Sequence, residues 1–229
     1  MACDICRGRR CKKMRPLKEE EREDFNLVRT AALTLLGLII GFSFAMAVSR
    51  YDQRKNLEEA EANAIGTEYV RADILPAEHA TKLRELLKRY LDQRVAFYLA
   101  RDRAQLGQIN AETAKLQAEL WSIVVNAVTS RQTAVEALVV AGMNDVLNSQ
   151  GYTQAAWWNR IPVAAWALMG LIAISCNLLF GYGERHGSAL ALVLPFIVSI
   201  AFFLIADIDS PRAGVNRVKP QNLLACRRP

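Results

Sequence analysis

The chain has 229 residues, 52% of them hydrophobic, and a formal net charge of +6. Its apolar residues are pooled into long runs at 27–49, 161–182 and 188–206, with a polar-to-mixed stretch between the first and second. That segregation excludes an ordinary soluble domain, which spreads its apolar residues at helical or strand period, and points to an integral membrane protein.

Residues 1–26 form a polar, basic tail with 8 Lys/Arg against 6 Asp/Glu. The acidic run at 18–24 reads as a solvated helical lead-in or a disordered segment. Cys3, Cys6 and Cys11 hint at a metal site, but a tetrahedral zinc site wants a fourth ligand, and His79 and His186 are remote in sequence. No metal site is expected, and the thiols read as free. No cleavable signal peptide is expected either, because the first apolar run starts late and is followed by charges instead of a small-residue cleavage site.

The run at 27–49 carries one charge, Arg29. A helix needs roughly 20 apolar residues to cross a bilayer core, so this run predicts the first transmembrane helix. Gly37 and Gly41 are four residues apart, a spacing that lets another helix backbone approach closely in lipid. Stepping about 100° per residue puts Leu35, Ile39, Phe42 and Met46 away from those glycines, with Ser43 beside them. The bulky stripe either faces a pore axis, making Ile39, Phe42 and Met46 pore-lining, or faces lipid or a neighbouring helix.

Residues 50–160 predict a helical domain with no strand pattern. Arg54, Lys55, Glu58, Glu59 and Glu61 read as a solvated helix face with close ion pairs. Pro76 ends that helix, since the residue before proline avoids helical geometry. A second helix carries the stripe Leu83, Leu86, Leu87, Tyr90, Leu91, Arg94, Phe97 and Tyr98 at spacings of three and four. Gly107 reads as a break. A third helix is expected over 109–147, closed by the turn cluster at 148–151. Trp157, Trp158 and Arg160 mark a membrane interface, and Pro162 suits the first turn of the helix over 161–182. Within that helix Ser175 and Asn177 are candidates for hydrogen bonds across helices, and Cys176 for a small packing residue. A short link leads to the third span, 188–206, which contains Pro195, and then to a basic tail at 207–229.

Topology follows from the basic residues. The helical domain and the tail flank one hairpin and share a side, and the positive-inside rule puts both in the cytoplasm. With three spans the basic N-terminus then falls outside, in conflict with its own charge.

No catalytic set, phosphate loop or His/Cys ligand cluster is present in the sequence, so neither an enzyme nor a cofactor is expected. Asp207 and Asp209 could hold a cation as hard oxygen ligands, or mark a polar helix exit.

Several strings are similar to the bacterial bestrophin-like family: GFSFAMAVSRY at 41–51, Arg54, EANAIGT at 61–67, RADILP at 71–76, MNDVL at 143–147, Gly181-Tyr182 and DIDSPRAG at 207–214. Within them Glu61, Asn63, Gly66, Arg71, Asp207, Asp209, Pro211 and Gly214 carry the motif. The resemblance implies a remote relation to bestrophins, pentameric anion channels whose neck is lined by bulky apolar residues of one membrane helix. It implies a multi-pass protein of the bacterial inner membrane that self-associates into a ring in the lipid bilayer; the basic ends of the chain read as topology signals or anionic-lipid contacts, and no nucleic-acid partner is expected. It also implies a further membrane helix upstream, which the polar first 26 residues do not supply. The expected fold class is thus an all-α integral membrane protein of three transmembrane helices with a large cytosolic helical insert between the first two. The expected function is an ion channel, for anions by resemblance; the alternative is a non-conducting scaffold or sensor whose helical domain binds a partner.

Overall fold

The computed structural model describes residues 19–129, 133–183 and 192–227, and all regular structure among them is helical. The elements are α1 (Glu19–Arg71), a short 3-10 turn (Ala72–Ile74), α2 (Ala77–Leu99), α3 (Arg103–Thr129), α4 (Glu136–Trp158), α5 (Val163–Gly183), α6 (Val193–Asp209) and α7 (Gln221–Cys226). Cys3, Cys6, Cys11 and His186 lie outside the described residues.

The axis of the molecule is α1. Its 53 residues run unbroken through the apolar stretch and on into the charged one, a length of about 80 Å. It ends where the sequence said it should: Leu75, ahead of Pro76, has extended geometry. The first half of α1 packs against α5 and α6 through Leu36, Ala173, Cys176 and Val198, and lower down through Ala47, Ile161 and Ile205. The second half joins α2, α3, α4 and α7 in one apolar core built on Ala62, Ile65, Leu83, Leu87, Leu120, Val139, Met143 and Leu223. The apolar windows of α1 and of the α4–α5 stretch are long enough to cross a membrane, and only 17% of each is buried. Their side chains are therefore not a soluble core. Leu171, Ile174 and Leu178 on α5 and Phe196, Ile197 and Phe203 on α6 point outward, as lipid-facing residues do.

The helical domain departs from the sequence reading in three places. The chain breaks between α3 and α4 instead of running as one helix over 109–147. The cause is a capping box at Thr133 and Glu136. The Thr133 hydroxyl accepts from the Glu136 N–H at 3.2 Å, and Glu136 Oε2 accepts from the Thr133 N–H at 3.3 Å. Gly107 lies inside α3 and residues 148–151 inside α4, so neither interrupts a helix. Ser175 and Asn177 do not reach across helices: each donates to the carbonyl four residues back, Leu171 and Ala173. Pro162 sits just before α5, where its carbonyl accepts from the N–H groups of Ala165 and Trp166. Pro195 falls in the first turn of α6, where a missing N–H removes no helical bond.

Candidate functional site

The face of α1 turned toward α5 and α6 is made by Leu36, Ser43 and Ala47, all buried, with Ile40 packed beside them. These residues recur at the helical repeat, and they leave the opposite face of the apolar stretch uncovered. Leu38 and Phe42 lie there, with Phe42 63% exposed. Gly37 and Gly41 flank them and have open space where a Cβ would stand. Met46 and Leu35 are also exposed, whereas Ile39 is turned half-way toward the packed side. Of the expected stripe, Phe42 and Met46 are free and Ile39 is not fully so; Leu38 occupies the more open station. Below, the uncovered face continues as a shallow groove past Ala45, Ser49, Asp52, Gln53 and Asn56.

At the foot of the apolar helices lies a polar junction organised by one face of α1. Arg50, Arg54, Glu58 and Glu61 follow at spacings of four, four and three, so they share that face. The last carbonyls of a helix have no partner within it. Arg54, 1% exposed, supplies partners to two helix ends at once. Its guanidinium donates to the Ala156 and Asn159 carbonyls at the end of α4, at 3.2 and 3.1 Å, and to Ile208 and Asp209 at the end of α6, at 3.4 and 3.2 Å. A cation also suits the negative end of a helix dipole. The Asp209 carboxylate pairs with Arg50 at 3.4 Å and accepts the Ile161 N–H at 3.1 and 3.2 Å, so it fixes the entry to α5. Glu58 accepts the N–H groups of Asn222 and Leu223, each at 3.0 Å, and holds the first turn of α7.

Deeper in the domain, Glu61 and Arg94 form an ion pair in which neither side chain is exposed. Tyr98 and Thr153 add hydroxyl donors to Glu61 at 3.2 and 3.3 Å. The solvated face expected for Arg54, Glu58 and Glu61 is therefore a buried one. Lys55 and Glu59 alone of that group stay exposed. Trp157 is likewise no interface residue. It is buried against Phe97 and Tyr98, with ring centroids 5.1 and 5.4 Å away, and the Arg212 guanidinium lies 4.2 Å from its ring centre. Trp158 remains exposed.

The motif at 207–214 is a joint. Asp207 accepts from the Asn216 N–H at 3.0 Å and from its side-chain amide at 2.9 Å, and from the Val215 N–H at 2.5 Å. Its carboxylate and that of Asp209 are thus each committed to backbone partners. Pro211 is buried, and Arg212 donates to the Phe97 and Ala100 carbonyls at the end of α2, both at 2.9 Å. At Gly214 a Cβ would collide with the backbone oxygen of Asp207. Gly214→Ala is therefore expected to cost about 1–3 kcal/mol, the usual range for overpacking, read as a lower unfolding midpoint in detergent. The other motif positions scatter. A Cβ at Gly66 would stand 3.7 Å from Cys226 Sγ, Arg71 donates to the Leu138 carbonyl at 3.3 Å, and Asn63 is exposed.

Comparison with known proteins agrees with this architecture. The family described as Bestrophin-like domain matches residues 14–223. A variant of a bacterial bestrophin homologue from Klebsiella pneumoniae superposes with a TM-score of 0.62 at 16% identity, covering 88% of this chain and 87% of that one. A second variant of a bacterial bestrophin homologue from the same organism gives 0.67 at 14% identity over 90% and 88% of the two chains. A structure described only as a membrane protein gives 0.68 at 14% identity over 88% and 87%. No curated protein shows a significant match.

Proposed function

The chain belongs to the Bestrophin-like family, and on that premise we propose that copies of it close into a ring around an ion pathway lined by α1. The observation that carries this is the uncovered face of α1. The chain packs α5 and α6 against the opposite side and, among the described residues, leaves Gly37, Gly41, Leu38 and Phe42 with no partner of their own. In lipid there is no hydrophobic drive to cover such a face, so what favours its association is close backbone packing at small residues. In a ring the glycines meet the neighbouring helix. Leu38, Phe42 and Met46 then narrow the axis into an apolar constriction, of the kind that gates by dewetting. Ile39 flanks this lining. Five copies are the number the family relation favours, and a closed ring is what a shared axis requires.

The apolar parts of α1, α5 and α6 are the three spans in this reading. The helical domain and the tail after Asp209, with 5 Lys/Arg and no acid, lie in the cytoplasm of a bacterial inner membrane.

The family relation suggests anions, but one feature of this chain favours cations. Asp52 stands at the first polar turn below the apolar stretch, in a groove that no basic side chain lines among the described residues. Repeated around a ring it becomes a girdle of carboxylates, which selects cations. In liposomes under a KCl gradient, the reversal potential is expected near that of potassium, and Asp52→Asn is expected to move it toward that of chloride. A reversal potential at chloride in the unaltered protein would restore the anion reading. Absence of conductance, together with recovery of a hetero-complex from native membranes, would favour a non-conducting scaffold.

A further inference from the structure

One buried carboxyl in the helical domain has no role in the junction. Glu68 is on the inner face of α1 and is fully buried. Among the described residues, neither of its oxygens has a hydrogen-bond partner. It reaches α4 only because residue 142 is a glycine. A Cβ there would run into Glu68 Oε2 and Arg71 Nη1, so the carboxyl and the guanidinium both fill space that any other residue would occupy. The charges acting on Glu68 oppose one another: Arg71, on its own helix, favours the carboxylate, and Asp145, on α4, disfavours it. Arg71 is engaged elsewhere, donating to the Leu138 carbonyl at 3.3 Å. Among the described residues, no charged group from α2 or the 3-10 turn acts on it.

An ionised carboxylate without hydrogen bonds is among the least stable arrangements a protein interior can hold, and such a group takes up a proton instead. We infer that Glu68 is a proton-binding site, neutral in the packed helix pair, and that its ionisation loosens the contact between α1 and α4. Burial pushes its carboxyl up to about 8, against 4.5 for a free glutamate. The packed state then holds a proton that the opened state releases. Packing at this contact is strongest at low pH, weakens as pH rises from the free value toward 8, and levels off beyond it. Since α1 is one helix from the apolar face to Glu68, proton release at this site acts on the same rod that presents Phe42. That last link rests on the reading of α1 as pore-lining; the proton site itself does not.

The test is infrared difference spectroscopy of the full-length protein in detergent, with Glu68→Gln as the subtraction. The expected result is a protonated-carboxyl stretch at neutral pH, absent in the variant and lost on titration with a midpoint near 8. A second measurement is hydrogen exchange of α4 amides around Gly142, corrected for intrinsic rate. Protection is expected to fall by up to about a hundredfold between about pH 6 and about pH 9 in the unaltered protein and to stay constant in Glu68→Gln. A carboxylate already ionised at neutral pH, or protection that falls equally in both proteins, overturns the proposal. Neither readout depends on conduction, so a failure here is separable from a failure of the channel reading.

Discussion

Arg94→Met is expected to destabilise the helical domain by about 3–5 kcal/mol, the cost of leaving one member of a buried ion pair without the other. That is a large share of the roughly 5–15 kcal/mol that separates a folded domain from its unfolded chain. The size follows from where Glu61 sits. Neither side chain of the pair is exposed, and the two remaining donors to Glu61, the Tyr98 and Thr153 hydroxyls, are neutral. Methionine roughly conserves the apolar volume and the contact with Phe97, whose ring centre lies 4.5 Å from the Arg94 guanidinium, so lost charge dominates over lost packing. The double substitution Glu61→Leu with Arg94→Met is expected to recover most of the loss, since removing both charges removes the uncompensated one. Thermal unfolding in detergent, followed by circular dichroism, reads all three proteins. A single variant as stable as the parent would mean that the Glu61–Arg94 pair does not hold the domain together.

Arg54→Lys should be nearly as damaging despite keeping the charge. The guanidinium serves four carbonyls through a rigid planar fork spread over two helix ends. An ammonium is a point donor on a flexible stem and cannot reproduce that geometry. Each buried carbonyl left without a partner costs about 1–3 kcal/mol. The loss falls on the contact between the helical domain and the α5–α6 pair, because Arg54 holds the end of α4 to the end of α6. The expected consequence is proteolytic cleavage within residues 210–220 at protease levels that leave the parent intact, together with a lower unfolding midpoint. Equal resistance of the two proteins would show that lysine suffices and that the fork is not what joins these ends.

What could be read in the sequence is what depends on near neighbours. The bilayer-length runs, the stop at Pro76 and the stripe from Leu83 to Tyr98 each need only a short window. The structure keeps α1 and the α4–α5 stretch as apolar helices long enough to cross a membrane, the extended residue before Pro76, and the stripe, with Arg94 inside it as a buried residue. The capping box at Thr133 and Glu136 was also local and legible, yet a continuous apolar periodicity through Val135 and Leu138 masked it. Those two side chains prove to be exposed. Charged residues on α1 could not be placed in the same way. Arg54 and Glu58 look solvated because every partner that buries them lies more than 100 residues away. Trp157 is misleading for the same reason. Paired tryptophans before an apolar run read as a membrane interface, but one of the two is claimed by α2 and by Arg212 from beyond the last apolar helix. The spacing of Arg50, Arg54, Glu58 and Glu61 on one helical face was the available sign that this surface is inward. Glu68, two further turns on, continues it.

The account as a whole turns on whether the open face of α1 meets a copy of itself. The mass of the purified protein in mild detergent, measured by native mass spectrometry, tests that most directly. A single species at a fixed multiple of the protomer, lost when Gly37 and Gly41 are replaced together by leucine, is the predicted result. A protomer that stays monomeric at every concentration, with that glycine face still open, would contradict it.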